Sequence, residues 1–173
     1  SVSPSATLFS SLYYFNSPTI LGSLRDIRLI RAGEEITRID FYDYLLTGEK
    51  PKDLKLQLDD VIFIPKRKKT ISIKVELNRP AIYELKNNET LKDLISFAGE
   101  LKVTAYTGRA QIDRIIPFAE RDSLGMERRL IDVDVGNIFK SEVDITLQDR
   151  DEVTIFPIAD IRQNKVSISG AIS

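Results

Sequence analysis

"LQLDDVIFIP" (Leu56–Pro65) and "LQDRDEVTIFP" (Leu147–Pro157) are two versions of one phrase in a chain of 173 residues. Aligned on their closing prolines, Asp59, Val61, Phe63 and Pro65 fall on Asp151, Val153, Ile155 and Pro157, each pair 92 apart. Toward the N-terminus, Ile39-Asp40 falls on Ile131-Asp132 at the same spacing. Further upstream the spacing is 83, with Thr7-Leu8 on Thr90-Leu91, Leu12 on Ile95, Asn16 on Gly99 and Arg31 on Arg114. The difference of nine places an insertion within "PFAERDSLGMERR" (Pro117–Arg129). A fixed offset broken by one surface insertion marks a duplicated module. Beyond Pro157, "VSISGAIS" (Val166–Ser173) repeats "ISIKVELN" (Ile71–Asn78) at a spacing of 95. The expected organisation is a first module over 1–65 that lacks its opening hairpin, a complete module over 71–157, and the first strand of a further module over 166–173. The missing hairpin should leave a free sheet edge, and Val166–Ser173 should seek a partner strand in another module or molecule.

The second copy sets the architecture. Ile71, Ile73, Val75 and Leu77 alternate with Ser72, Lys74 and Glu76, the pattern of a half-buried strand. "NRPA" (Asn78–Ala81) turns the chain into a second short strand, "IYEL" (Ile82–Leu85). "NETLKDLISFAGEL" (Asn88–Leu101) is predicted to be a helix, capped by Asn88 or Thr90 and ended by Gly99. Its Leu91, Leu94, Ile95 and Ala98 form one apolar stripe. "AQIDRIIP" (Ala110–Pro117), "RLIDVDV" (Arg129–Val135) and "DEVTIFP" (Asp151–Pro157) supply three more strands. The order β-β-α-β-β-β predicts an α+β fold of tandem β-grasp, ubiquitin-like modules, each a mixed sheet with one packed helix. In the first copy Leu8, Leu12 and Phe15 make the stripe, and Asp40 caps a short helix "FYDYLLTG" (Phe41–Gly48). Val61–Ile64, apolar on both faces, reads as a strand buried in mid-sheet.

Composition narrows the chemistry. The chain is 42% hydrophobic and 29% charged with a formal net charge of −1, so it has no electrostatic reason to seek nucleic acid. No run of eighteen apolar residues is present to span a bilayer, and no signal peptide is visible. A start at Ser1 rather than Met points to a mature or excised piece. The absence of Cys and His excludes a Ser-His-Asp triad, thiolate catalysis and His- or Cys-based metal sites.

"SLRDIRLIRAGEEITRIDFYDYLLTGEKPKDLKLQLDDVIFIP" (Ser23–Pro65) and "ISIKVELNRPAIYELKNNETLKDLISFAGEL" (Ile71–Leu101) resemble the soluble-ligand-binding β-grasp (SLBB) modules of bacterial polysaccharide export proteins. The family pattern is an alternating strand, a Gly, V-x-x-P-G-x-Y-x-L, then a T-L-x-x-x-I-x-x-A-G-G helix. Leu77, Pro80, Tyr83, Leu85, Thr90, Leu91, Ala98 and Gly99 match it. Val75 replaces the first Gly, which Gly170 keeps in the third copy; Ala81 replaces the Gly after Pro, and Glu100 the second helix-end Gly. The resemblance implies a periplasmic part of an outer-membrane-associated protein of a Gram-negative bacterium. Such modules line an oligomeric ring through which capsular or exopolysaccharide passes by weak, transient contacts. The implied partners are the polymer, further copies of the protein and inner-membrane export machinery, with no cofactor and no catalysis. The alternative is a small-ligand or carbohydrate receptor, since related modules bind compact ligands such as cobalamin. A two-carboxylate glycan-processing enzyme is the third reading, and no Asp or Glu pair is marked for it by context.

Six residues are candidates for ligand contact. Arg25, Arg28 and Arg31 in "SLRDIRLIR" suit an acidic sugar or phosphate, because guanidinium binds carboxylates bidentately. The competing reading has Ile27 and Leu29 facing a core, Arg28 on the wet side and the other two at strand ends. In "AYTGRAQIDR", Tyr106, Arg109 and Arg114 combine a flat ring with cations, a set suited to stacking on sugar. "PKRKK" (Pro65–Lys69) reads as a solvated linker rather than a polyanion site. "DVDVGN" (Asp132–Asn137) lacks the third ligand, the glycine position and the closing Glu of a calcium loop and reads as strand, so no metal is expected. Phe41, Tyr42 and Tyr44 read as core and module interface.

Overall fold

The computed structural model describes residues 6–14, 21–49, 53–141 and 144–159. The expected strand Val166–Ser173 lies outside these residues. In chain order the elements are α1 (Leu8–Tyr14), β1 (Ile27–Arg31), β2 (Glu34–Ile39), α2 (Phe41–Thr47), β3 (Val61–Phe63), β4 (Lys69–Val75), β5 (Ala81–Leu85), α3 (Leu91–Phe97), β6 (Ala105–Ile115), α4 (Phe118–Leu124), β7 (Arg128–Val133), α5 (Val135–Lys140) and β8 (Glu152–Pro157). They build a five-stranded sheet ordered β5-β4-β8-β6-β7 and a three-stranded sheet ordered β2-β1-β3. β4 and β8 are parallel neighbours and every other pairing is antiparallel. A mixed sheet whose first and last strands lie side by side, with a helix crossing between, is β-grasp-like, and the fold class is α+β as the sequence predicts.

The apolar stripe predicted for α3 does what its spacing requires. Leu91, Leu94, Ile95 and Ala98 are all fully buried, packed with Ile71, Ile73, Ile112, Val153 and Ile155 of the sheet. Removing each large side chain from water stabilises by about 1.5–3 kcal/mol. The helix starts at Thr90, whose backbone N–H donates to Asp93 (2.9 Å). It ends where Gly99 takes φ +74°; a side chain there would also meet Arg79 Nε at 2.9 Å. A smaller core of Leu8, Leu12, Ile27, Leu29 and Ile39 lies under the three-stranded sheet.

One set of contacts occurs in both sheets. Leu8 N–H donates to Leu54 O (2.9 Å), and Leu91 N–H to Ile145 O (3.0 Å). Gln57 N–H donates to Asp60 (2.7 Å), and Gln148 N–H to Asp151 (2.8 Å). Asp59 and Arg150 share a left-handed backbone, φ 66° and 67°. Leu29 pairs with Ile62 as Ile112 pairs with Val153. Along this last segment the matching residues stand 91 apart, whereas alignment on the prolines gives 92. β8 carries one more residue before its proline. Because side chains alternate along a strand, that single step exchanges faces: Ile62 and Ile64, not Val61 and Phe63, take the places of Val153 and Ile155. Similarly, Asp40 caps α2 through Tyr42 N–H (3.0 Å) as Asp134 caps α5 through Asn137 N–H (2.8 Å), so the partner of Asp40 is Asp134 rather than Asp132.

Three further differences separate expectation from fold. The insertion between β6 and β7 folds as α4. The stretch after β7, read as strand to Val135, turns into α5, with only Val135 and Ile138 buried. β3, read as a mid-sheet strand, has β1 as its one strand neighbour among the described residues, and Val61 and Phe63 are exposed.

Candidate binding cleft

The two sheets meet across a buried guanidinium. Arg25 lies just before β1, and its side chain is 6% exposed. Its Nε and Nη2 donate to Asp40 at 3.1 and 3.0 Å, and its Nη1 donates to Glu89 and to Glu84 O (3.2 Å). Its plane lies over the rings of Tyr42 (4.5 Å) and Phe97 (5.0 Å), which meet edge to face. Burial opposes the charge on Arg25, but the Glu89 and Asp40 hydrogen bonds outweigh it and the guanidinium holds its proton more firmly than usual. Burial likewise opposes ionisation of Asp40; hydrogen bonds from Arg25, from Lys86 (2.6 Å) and from Tyr42 N–H hold its carboxyl below the usual range.

Around this pin the backbone is stitched as well. Ser23 Oγ donates to Glu84 (2.7 Å), Leu24 N–H donates to its other oxygen (3.1 Å), and Glu84 N–H donates to the Tyr42 hydroxyl (2.9 Å). Tyr42, Asp40 and Arg25 come from the first sheet's surroundings; Glu84 comes from β5 of the second, Lys86 and Glu89 from the turn that follows it, and Phe97 from α3. Neither side is complete alone.

Beside the pin opens a cleft of about 410 Å³, floored by Arg25, Asp40 and Glu84 and rimmed by Arg38, Lys66 and Lys68. The rim cations and recessed carboxylates can hydrogen-bond a hydroxyl-rich or acidic ligand. Among the described residues, no three His, Cys, Asp or Glu side chains converge to hold a metal ion.

Of the six candidate contact residues, only Arg25 reaches this cleft. Arg28 makes a bidentate pair with Asp26 (2.7 and 2.6 Å) and lies over Phe63. Arg31 and Arg114 occupy matching places. Arg31 grips Asp60 (2.8 Å twice) and donates to Lys55 O (3.3 Å); Arg114 grips Asp151 (3.0 and 2.7 Å) and donates to Thr146 O (3.2 Å). Tyr106 and Arg109 sit together elsewhere, on a bulge of β6 between the pairs Ala105–Pro157 and Ala110–Ile155. There Arg109 donates to Asp132 (3.0 Å) and lies over Phe156 (5.5 Å). Sequence reading missed Glu84, Lys86 and Glu89, since a charged residue near a turn carries no mark of its distant partner. It placed Asp40 only as a cap and Tyr42 only as packing. The one usable signal for the rim was "PKRKK".

An α+β, β-grasp-like protein with a polar cleft at its internal junction is thus the class that fold and site define. Residues 76–127, from the end of β4 to the start of β7, match the family model of the SLBB domain, in agreement with the resemblance seen in the sequence. No curated protein matches the chain.

Proposed function

We propose that the chain is a non-catalytic periplasmic part of a polysaccharide export protein, two tandem β-grasp modules stacked as wall material of an oligomeric conduit. SLBB domains are associated with polysaccharide export and with ligand binding. The observation that carries the reading is the junction: a conduit wall needs modules held at a fixed angle, and Arg25 with its Asp40, Glu84 and Glu89 partners fixes one. Capsular or exopolysaccharide would pass over exposed polar side chains without a tight pocket, and copies would associate around a ring with inner-membrane export machinery below. Removing the gene for the full-length protein from its organism should abolish surface polysaccharide, and unchanged polymer on the cell surface would overturn the reading.

The cleft of about 410 Å³ favours a second reading, a receptor for a compact polar ligand. Calorimetry against neutral sugars, uronic acids and corrinoids separates the two. Micromolar binding, lost in Lys68→Ala with an unchanged melting curve, supports the receptor; no heat with any of them supports the conduit.

A further inference from the structure

We propose that the outer edge of β3 is a docking groove for the strand Val166–Ser173 of a second copy of this chain.

The two matching strands β8 and β3 have unequal edges. β8 has β6 on one side and β4 on the other, with Ser72, Ile73, Lys74 and Val75 paired in parallel to Glu152, Val153, Thr154 and Ile155. β3 has β1 on one side, and no described strand on the other. Burial reports the same gap. Val153 and Ile155 are 0% exposed, whereas their counterparts Ile62 and Ile64 are only half-buried. Leu147 is buried, and its counterpart Leu56 is not. The uncovered positions in the first sheet are therefore those that β4 covers in the second.

Val166–Ser173 carries the side-chain pattern of β4. Val166, Ile168 and Ile172 stand where Ile71, Ile73 and Leu77 are buried. Gly170 stands where Val75 adopts φ 83°, a backbone conformation that glycine takes freely and a β-branched residue does not. The β4–β8 register, transferred, sets Ser167, Ile168, Ser169 and Gly170 against Val61, Ile62, Phe63 and Ile64. Chain reach favours a second copy over the same one. β8 runs parallel to β4 and so ends away from the 66–68 link. The eight residues 158–165 stretch to roughly 28 Å at most. Retracing β8, the link and β3 takes more chain than that. A strand given by one copy to the next is a head-to-tail contact, which closes into rings or runs on as filaments.

The test uses the full 173-residue chain. Sedimentation velocity over a range of concentrations should show self-association that Ile168→Pro weakens at least about tenfold, because proline removes a ladder donor and the apolar knob with it. Hydrogen exchange should show the β3 amides that point away from β1 protected in the associated wild type and fast in Ile168→Pro. A synthetic peptide of Val166–Ser173 should bind the Ile168→Pro protein and restore that protection. A monomer at every concentration, assembly undiminished in Ile168→Pro, or protection of β3 in a monomeric wild type (a strand closing within its own chain) would each overturn the proposal.

Discussion

Val75 and Glu100 replace two glycines of the SLBB pattern, and the backbone has kept the glycine conformation at both, with φ 83° and 68°. For L-residues that region is unfavourable by roughly 1–2 kcal/mol, most for a β-branched side chain. Glu100→Gly is therefore expected to stabilise by about 1 kcal/mol, and Val75→Gly by somewhat less because a partly exposed apolar side chain is given up; urea unfolding checks both. Ala81, the third departure from the pattern, is not in a left-handed conformation and needs no glycine. The same scale carries a pH effect. Hydrogen bonds from Arg31 and from Gln57 N–H hold the Asp60 carboxyl down to about 2, below the ordinary value near 3.9. A lowered folded-state pKa means that stability from this pair is complete above about pH 4 and is lost as pH falls through about 2. A carbon-13 titration of Asp60 should turn near 2, and Arg31→Gln should raise that midpoint toward 4.

Elements were legible where periodicity was strong. The stripe of α3, the Asp40 and Gly48 ends of α2, and the alternation of β4 each rest on several side chains in a row, so a single ambiguous residue could not mislead. α5 was not, because its six residues include Gly136 and bury only two side chains, too few to establish a helical period. Register between the two sheets failed by one residue because proline was taken as the anchor. The Leu-Gln dipeptides that begin both phrases, Leu56-Gln57 and Leu147-Gln148, would have given the correct spacing of 91. The β6–β7 connection shows how little the insertion contributes to the fold. β1 and β2 are joined by Ala32-Gly33 alone, both with positive φ, the two-residue turn that suits strand twist. Replacing 116–127 with Ala-Gly should leave a folded protein about 1–3 kcal/mol less stable, the loss arising from buried Ile116. Circular dichroism and urea unfolding read the outcome.

At the scale of the whole molecule, the decisive contacts join residues some sixty positions apart, such as Ser23 with Glu84 and Arg25 with Glu89. No local pattern announces them, which is why the arginines could be nominated from sequence but not assigned to places. Arg25→Ala removes the buried counter-charge of Asp40 and Glu89, leaving Asp40 with Lys86 and Tyr42 N–H and Glu89 with Lys86 N–H. Removing one partner of a buried ion pair costs about 3–5 kcal/mol, and the surviving contacts put this case at the lower end. The expected result is a single calorimetric transition in the wild type that splits into two in Arg25→Ala, the smaller core of the three-stranded sheet melting first. A shifted but still single transition would show that the halves are coupled by other contacts.

The basic run after Pro65 looked like an open tether, yet Lys66 bridges to Gly22, Arg67 N–H donates to Leu21 O (2.9 Å), and Lys68 N–H donates to Glu84 (3.4 Å). A protease must draw several residues of extended chain into its groove, and this crossing is sewn down on both flanks. Trypsin, offered four consecutive basic residues at 66–69, should therefore leave the peptide intact in native buffer. It should cut there only at temperatures or urea concentrations where the joint itself comes apart, so that digestion becomes a clock for its opening.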